Sequence, residues 1–370
     1  MINVIIYGIN MVTIKILNLI DENKCNVSAI ISNSKKNIGR KIKEIPIIAP
    51  EEINKFSYEL IIKAISEENI KGSQAINFKD YLRNYYDFEI GRLLYKLNTN
   101  YETIDGFITG LSYAEVGIDE DIIEGNVINA AISSQDIFYD YEVAKYILLN
   151  NKYADKVKFA IIGLTYYSFH FDLSKSSVGD RVYSYYPFTN NIHNREDLSG
   201  VKCEEFNRVE TILKNIFIED YKNEIYKALI DEYEIGWKDY ISGYLTPEKI
   251  AIGKENVRKD SLKNYPITVE ENKKILNDYI DFLKARNITP YIIICPTSKY
   301  YHPYLSERIS SEFKSVIEEI SYNKAVRVYD YFNSDMFSES DFYDTAHLNR
   351  IGARKFTNLI NLEVLKSSVR

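Results

Sequence analysis

"IDGFITGLSYAEVGI", residues 104–118, is the stretch whose reading decides the fold. Phe107, Ile108 and their small neighbours form a short apolar run with the look of a buried strand. Gly110 allows a tight turn, and helix-like residues follow from Ser112. A strand that hands the chain to a helix in this way is the repeating unit of a parallel α/β sheet. A serine at the junction has its Oγ at the rim of the sheet and its backbone N–H at a helix N-terminus.

The same alternation extends in both directions. Downstream, "NVINAAIS" (126–133) and "VKFAIIGL" (157–164) read as strands on either side of the helix "DIFYDYEVAKYILLNN" (136–151). A helix over 270–286 leads to the strand "YIIIC" (291–295), a helix near 306–321 to the strand "AVRVYD" (325–330), and a last helix starts at about Asn349. Between the two sets lie the polar, aromatic stretch 177–200 and one helical face at Phe206, Val209, Leu213, Ile216, Ile225 and Leu229. Residues 236–268 show no regular pattern. The region 103–370 is therefore expected to be a doubly wound α/β domain with a helical insertion over about 176–287. Upstream, the strands "NVIIYG" (3–8), "NVSAIIS" (26–32) and "YELIIKAIS" (58–66) alternate with helical patterns, which predicts a small parallel α/β unit over 1–80. A helical connector over 81–102 joins the two.

Composition narrows the functional classes. Hydrophobic residues make up 45% and charged residues 27% of the 370, with a net charge of −7 and no basic stripe of the kind that binds phosphate backbones. Nucleic acid is thus not an expected partner. Cys25, Cys203 and Cys295 are too scattered for a disulfide framework or a metal spacing. No apolar run approaches the ~20 residues that span a bilayer, and the first residues lack a basic n-region and cleavage site. The expectation is a cytoplasmic protein.

"DFYDTAHLNRIGA" (341–353) holds one of only four histidines and sets Asp344 three residues before His347. A serine hydroxyl is a weak nucleophile and needs a base within hydrogen-bond reach. His347 can be that base for Ser112, and Asp344 can fix its tautomer and stabilise the imidazolium. Both fall where reactive groups collect in such sheets, beyond the carboxyl ends of strands.

A strand-end serine early in the domain and Asp-x-x-His near its end resemble the SGNH (GDSL-type) hydrolase superfamily, in particular its esterase and acyltransferase branch that modifies bacterial surface polysaccharides. The resemblance covers about 103–175 and 288–370 and rests most on Asp344-Thr-Ala-His347-Leu-Asn-Arg-Ile-Gly352. It implies Ser112, Asp344 and His347 as catalytic residues. It also implies an oxyanion hole from Ser112, from Ser134 in place of the family's second-block glycine, and from Thr165 where the family has asparagine. Gly110-Leu111-Ser112 replaces the usual Gly-Asp-Ser. His170, Lys299 and Tyr185 are candidates to contact a carbohydrate substrate, Tyr185 by stacking on a sugar ring. No metal or redox cofactor is implied; acetyl-CoA would be a fitting acyl donor.

The N-terminal unit resembles the Rossmann-like domain in front of nucleotide-sugar-modifying acetyltransferases. Gly8 and Asn10 stand in its phosphate-binding turn, although only the first glycine of G-x-G-x-x-G is kept. The competing reading is a binding or scaffold protein that has lost turnover and senses a nucleotide sugar.

Overall fold

The computed structural model describes residues 1–65, 75–85, 88–99, 103–149, 154–195, 203–225, 227–228 and 243–366. The chain forms two compact α/β units, one of residues 1–95 with 196–231 and one of residues 96–195 with 232–370. None of the described helices is long and apolar enough to cross a membrane.

In the first unit, β1 (Ile2–Tyr7), β2 (Cys25–Ile31), β3 (Lys41–Ile42), β4 (Ile45–Ile48), β5 (Leu60–Lys63) and β6 (Ala75–Asn77) lie in the order β3-β4-β2-β1-β5-β6. All neighbours are parallel except the β3–β4 pair. Helix α1 (Met11–Leu19) follows β1 and α2 (Phe78–Tyr85) follows β6. Val4, Ile6, Ile30 and Ile62 bury one face of the sheet together with Ile16 of α1 and Phe78 of α2.

The segment 196–231 belongs to this unit rather than to an insertion in the other. Its helix Cys203–Ile216 buries Val209, Leu213 and Ile216 in the same core, and Ile218 N–H donates to Leu19 O at 2.9 Å. The helical face read from the sequence is thus a docking stripe, its 3.6-residue period set by the first unit's core. Phe206's side chain and Leu229, also assigned to that face, lie outside the described residues.

In the second unit, β7 (Gly106–Gly110), β8 (Val127–Asn129), β9 (Phe159–Leu164), β10 (Thr289–Ile294) and β11 (Arg327–Asp330) form a parallel sheet in the order β11-β10-β9-β7-β8. On one face, Ile108, Ile161 and Ile293 pack with Phe356 and Ile360 of α8 (Arg350–Ile360). On the other lie α4 (Ile137–Leu149) and α6 (Pro266–Lys284), which pack on β7 and β10 and on each other. The short α3 (Ser112–Gly117) follows β7, α5 (Pro247–Leu262) precedes α6, and α7 (Glu307–Lys324) precedes β11. This is the doubly wound architecture expected from the strand–helix alternation, and its strand order reverses between β7 and β9.

Helix α5 corrects the sequence reading, which left 236–268 without structure. Thr246 caps it by accepting from Lys249 N–H at 3.3 Å, and Pro247 starts its first turn. Only Gly253 and Val257 of its residues are buried, so no apolar period betrays it. Residues 229–242 lie outside the described set.

Candidate active site

The switch between β7 and β9 is built on small residues. Gly110 pairs with Gly163 across the two strands. A Cβ on Gly110 would stand 2.5 Å from Gly163 O, and one on Gly163 would stand 2.5 Å from Ala114 Cβ. Gly110 also takes φ +144°, a region closed to other residues at little cost. These absences let α3 sit directly on the strand ends, so that Ser112 emerges at the rim. Asn129, at the end of β8, closes the far end of α3: its Nδ2 donates to Ala114 O (3.0 Å), Glu115 O (3.2 Å) and Ile118 O (2.9 Å).

Asp344, Thr345 and His347 arrive on the loop before α8. Asn349 caps that helix, its Oδ1 accepting from Ile351 and Gly352 N–H at 3.0 Å each. Its Nδ2 also donates to Ser340 O at 2.7 Å, which pins the loop. Ser298, beyond β10, donates through N–H and Oγ to Thr345 O at 3.0 and 2.8 Å. Helix α5 supports the same loop from the other side. Its Gly253 lies so close to Thr345 that a Cβ there would overlap the threonine side chain, and Lys249 Nζ donates to Tyr343 O at 3.0 Å. The helix that sequence patterning missed is therefore a wall of the site.

On these supports three side chains join in a line. Ser112 Oγ stands 2.8 Å from His347 Nε2. His347 Nδ1 stands 3.0 Å from both carboxylate oxygens of Asp344. Asp344 Oδ1 accepts further from Ala346 and His347 N–H, each at 2.8 Å. Burial works against ionising Asp344, but the His347 imidazole and the two N–H donors outweigh it, and its pKa lies below the usual carboxylate value. Burial likewise opposes charging His347; the Asp344 carboxylate, with a smaller part from Glu115, outweighs it and raises the imidazole pKa. The two side chains are 27% and 26% exposed, so the imidazole still faces solvent at one edge. The Tyr113 ring packs beside the imidazole, tilted by 41° with centroids 4.9 Å apart.

Two turns flank Ser112. On one side, Ile132 N–H donates to Gly110 O at 3.0 Å, carrying the chain past Gly110 into Ser134. Ser134 has φ +61°, the left-handed conformation that glycine takes most easily. Neither Ser112 N–H nor Ser134 N–H donates to another group among the described residues. On the other side, Thr165 lies two residues past Gly163, as Ser112 lies two past Gly110. Thr165 is buried, its N–H donates to Ser168 Oγ at 2.8 Å, and its Oγ1 has no hydrogen-bond partner.

The expected substrate contacts fare differently. His170 is buried, with Nε2 2.8 Å from Glu312 Oε2 and Nδ1 accepting from Tyr265 N–H at 3.1 Å. Both nitrogens are spent on packing α6 and α7, so none is left for a substrate. Tyr185 is fully buried, stacks on Tyr139 at 4.1 Å and donates to Gln135 Oε1 at 2.9 Å. It is a core residue that holds the turn beside Ser134, not a stacking platform. Lys299 is an exposed rim residue paired with Glu339. Cys295 is buried, which pushes its thiol pKa up to about 12 and makes it an inert core residue.

In the first unit, Gly8 has φ +100° and lies under Ile65. Asn10 caps α1: its Oδ1 accepts from Thr13 N–H (3.2 Å), its Nδ2 donates to Ala64 O (2.9 Å), and Asn10 N–H donates to Thr13 Oγ1 (3.1 Å). Thr13 Oγ1 in turn donates to Gly8 O at 2.8 Å. Thr13 thus closes a capping box, and the side chain of Asn10 is engaged within the protein.

Residues 1–79 match the family model described as C2185-like, N-terminal. No curated protein is significantly similar in sequence to the chain. Among solved structures, a Bacteroides fragilis protein described as an acylhydrolase superposes with a TM-score of 0.36 at 11% identity, over 77% of this chain and 97% of its own. A psychrotrophic esterase from Pseudoalteromonas sp. gives 0.32 at 11% identity, over 73% and 100%. A mutant of the esterase AlinE4 gives 0.29 at 12%, over 71% and 96%. Similarity this loose leaves the functional argument to the geometry of the site.

Proposed function

We propose that the second unit is a serine-dependent esterase or acyltransferase. The observation that carries the reading is the continuous Ser112–His347–Asp344 hydrogen-bond chain at the carboxyl end of β7. Ser112 Oγ attacks the ester carbonyl as its proton passes to His347 Nε2, and Asp344 stabilises the imidazolium. Negative charge gathers on the carbonyl oxygen, where the N–H groups of Ser112 and Ser134 and the hydroxyl of Thr165 receive it. His347 returns the proton to the leaving alcohol, and an acyl-Ser112 ester remains. Water completes a hydrolysis; a sugar hydroxyl completes a transfer.

The finer reading, an O-acetyl group moved to or from a carbohydrate in surface-glycan biosynthesis, is supported by the resemblance of the Asp344–His347 block to that branch of SGNH enzymes. In a transfer reaction, acetyl-CoA would acylate Ser112. Hydrolysis of p-nitrophenyl acetate and of acetylated sugars tests the proposal. Turnover by the wild type that vanishes in Ser112→Ala supports it; turnover that survives the substitution rules it out.

A further inference from the structure

A second buried cluster lies behind the turn that carries Ser134. His193 lies in a polar loop, yet it is only 6% exposed. Its Nδ1 has no hydrogen-bond partner and points between Asp136 Oδ2 at 3.7 Å and Asp172 Oδ1 at 3.8 Å. Both carboxylates are buried as well, and the three ligand atoms lie within 4.8 Å of one another. At those separations no direct N–H···O bond forms. Two buried anions thus face one buried ring nitrogen across a gap that calls for positive charge.

The surroundings engage the other ring nitrogen and hold the ring. Glu271 Oε1 and Asn194 Nδ2 each stand 3.2 Å from Nε2, so Nδ1 is the nitrogen that faces the two carboxylates. Phe138 stacks on the ring at 4.2 Å and 2° and holds its plane. The carboxylates are themselves held: Asp136 Oδ2 accepts from Leu173 N–H at 2.7 Å, and Asp172 Oδ1 from Ser174 N–H at 3.0 Å and Ser174 Oγ at 2.5 Å. Lys175 pairs with the other Asp172 oxygen at 2.8 Å and leaves Oδ1 turned inward. Two bonds of about 2.1 Å reach across at most about 4.2 Å, so an ion can bridge Nδ1 to either carboxylate at the observed 3.7 and 3.8 Å. An imidazole with two carboxylates suits Zn²⁺ or Mn²⁺ better than Ca²⁺ or Mg²⁺.

We propose that Asp136 Oδ2, Asp172 Oδ1 and His193 Nδ1 form a structural binding site for a divalent transition-metal ion. The ion ties the segment 172–193 to the start of α4. That segment carries Arg181, which donates to Ser133 O, and Tyr185, which donates to Gln135. The site thereby braces the turn on which Ser134 sits.

Isothermal titration of the chelator-treated 370-residue chain with ZnCl₂, and separately with MnCl₂, reads the site without reference to activity. One ion per chain is expected, with binding at least 100-fold weaker in His193→Gln and Asp136→Asn. X-ray absorption on the wild-type zinc complex keeps the test independent of how the variants fold. It should show one imidazole nitrogen and carboxylate oxygens at about 2.0–2.2 Å, without sulfur. Failure of both ions to bind, undiminished binding by folded His193→Gln, or a shell without imidazole would each overturn the proposal; a proton would then be the charge that the carboxylates hold on His193.

Discussion

Thr165→Val separates catalysis from stability. Valine keeps the β-branched shape and removes only the hydroxyl, whose oxygen is buried and unpartnered. A buried hydroxyl without a partner carries a desolvation penalty of about 1–3 kcal/mol. The substitution should therefore leave the fold unharmed or stabilise it by up to that amount. For a domain of this size, each kcal/mol corresponds to about 2–4 °C in Tm. If the hydroxyl serves the developing oxyanion, its loss should cost about 2.7–4 kcal/mol in the transition state, or 10²–10³ in kcat. The signature is a protein at least as stable as the wild type and at least 100-fold slower, with KM little changed. Ester hydrolysis followed by p-nitrophenol release, beside a thermal melt, measures both. A raised Tm with undiminished kcat would show that Thr165 is only an unpaired core group and would sink its assignment to the oxyanion hole.

Three further outcomes follow from the same geometry. Because the Asp344 carboxylate raises the His347 pKa and the base must be neutral to accept a proton, kcat/KM should rise with pH through a value above the ordinary ~6.5 of histidine. In Asp344→Asn that limb should move to lower pH while the plateau falls by about 10⁴; an unmoved limb would mean that another group controls it. Gly163→Ala should cost about 1–3 kcal/mol by pressing a methyl into Ala114, and should lower kcat as α3 shifts; a melt and rate equal to wild type would refute the close-packing argument. Asp140 is buried beneath the Gly110 turn, and burial pushes its pKa well above the usual value despite a bond from Gln135 Nε2 at 2.7 Å. The folded state thus holds the proton more tightly, so its contribution to stability is full below about pH 3.9 and is lost as pH rises toward the folded pKa. The stability of Asp140→Asn relative to wild type should accordingly grow from pH 4 upward in urea melts, and parallel curves would contradict this.

The alternating strands and helices were legible because parallel strands buried on both faces leave continuous apolar runs, as Ile292, Ile293 and Ile294 do in β10. Ser112, Asp344 and His347 were legible as a set because their order along an α/β pattern is distinctive, and the fold brings them into contact. Local pattern could not give the partners of the remaining polar residues. His170, Tyr185 and His193 lie outside the regular strand–helix pattern, yet all three are buried by contacts with residues far along the chain, among them Glu312, Gln135 and Glu271. Helix α5 escaped because it packs through Gly253 and a single valine rather than an apolar stripe. The stripe at 203–216 was visible, but periodicity shows that a face is buried without showing which core buries it.

The most direct test of the central claim is intact-mass analysis after treatment with a fluorophosphonate probe, on wild type and on Ser112→Ala. Activation of Ser112 by His347 predicts a single covalent adduct on the wild type and none on the variant. A folded wild-type protein that takes up no probe, or a variant that still does, would contradict it.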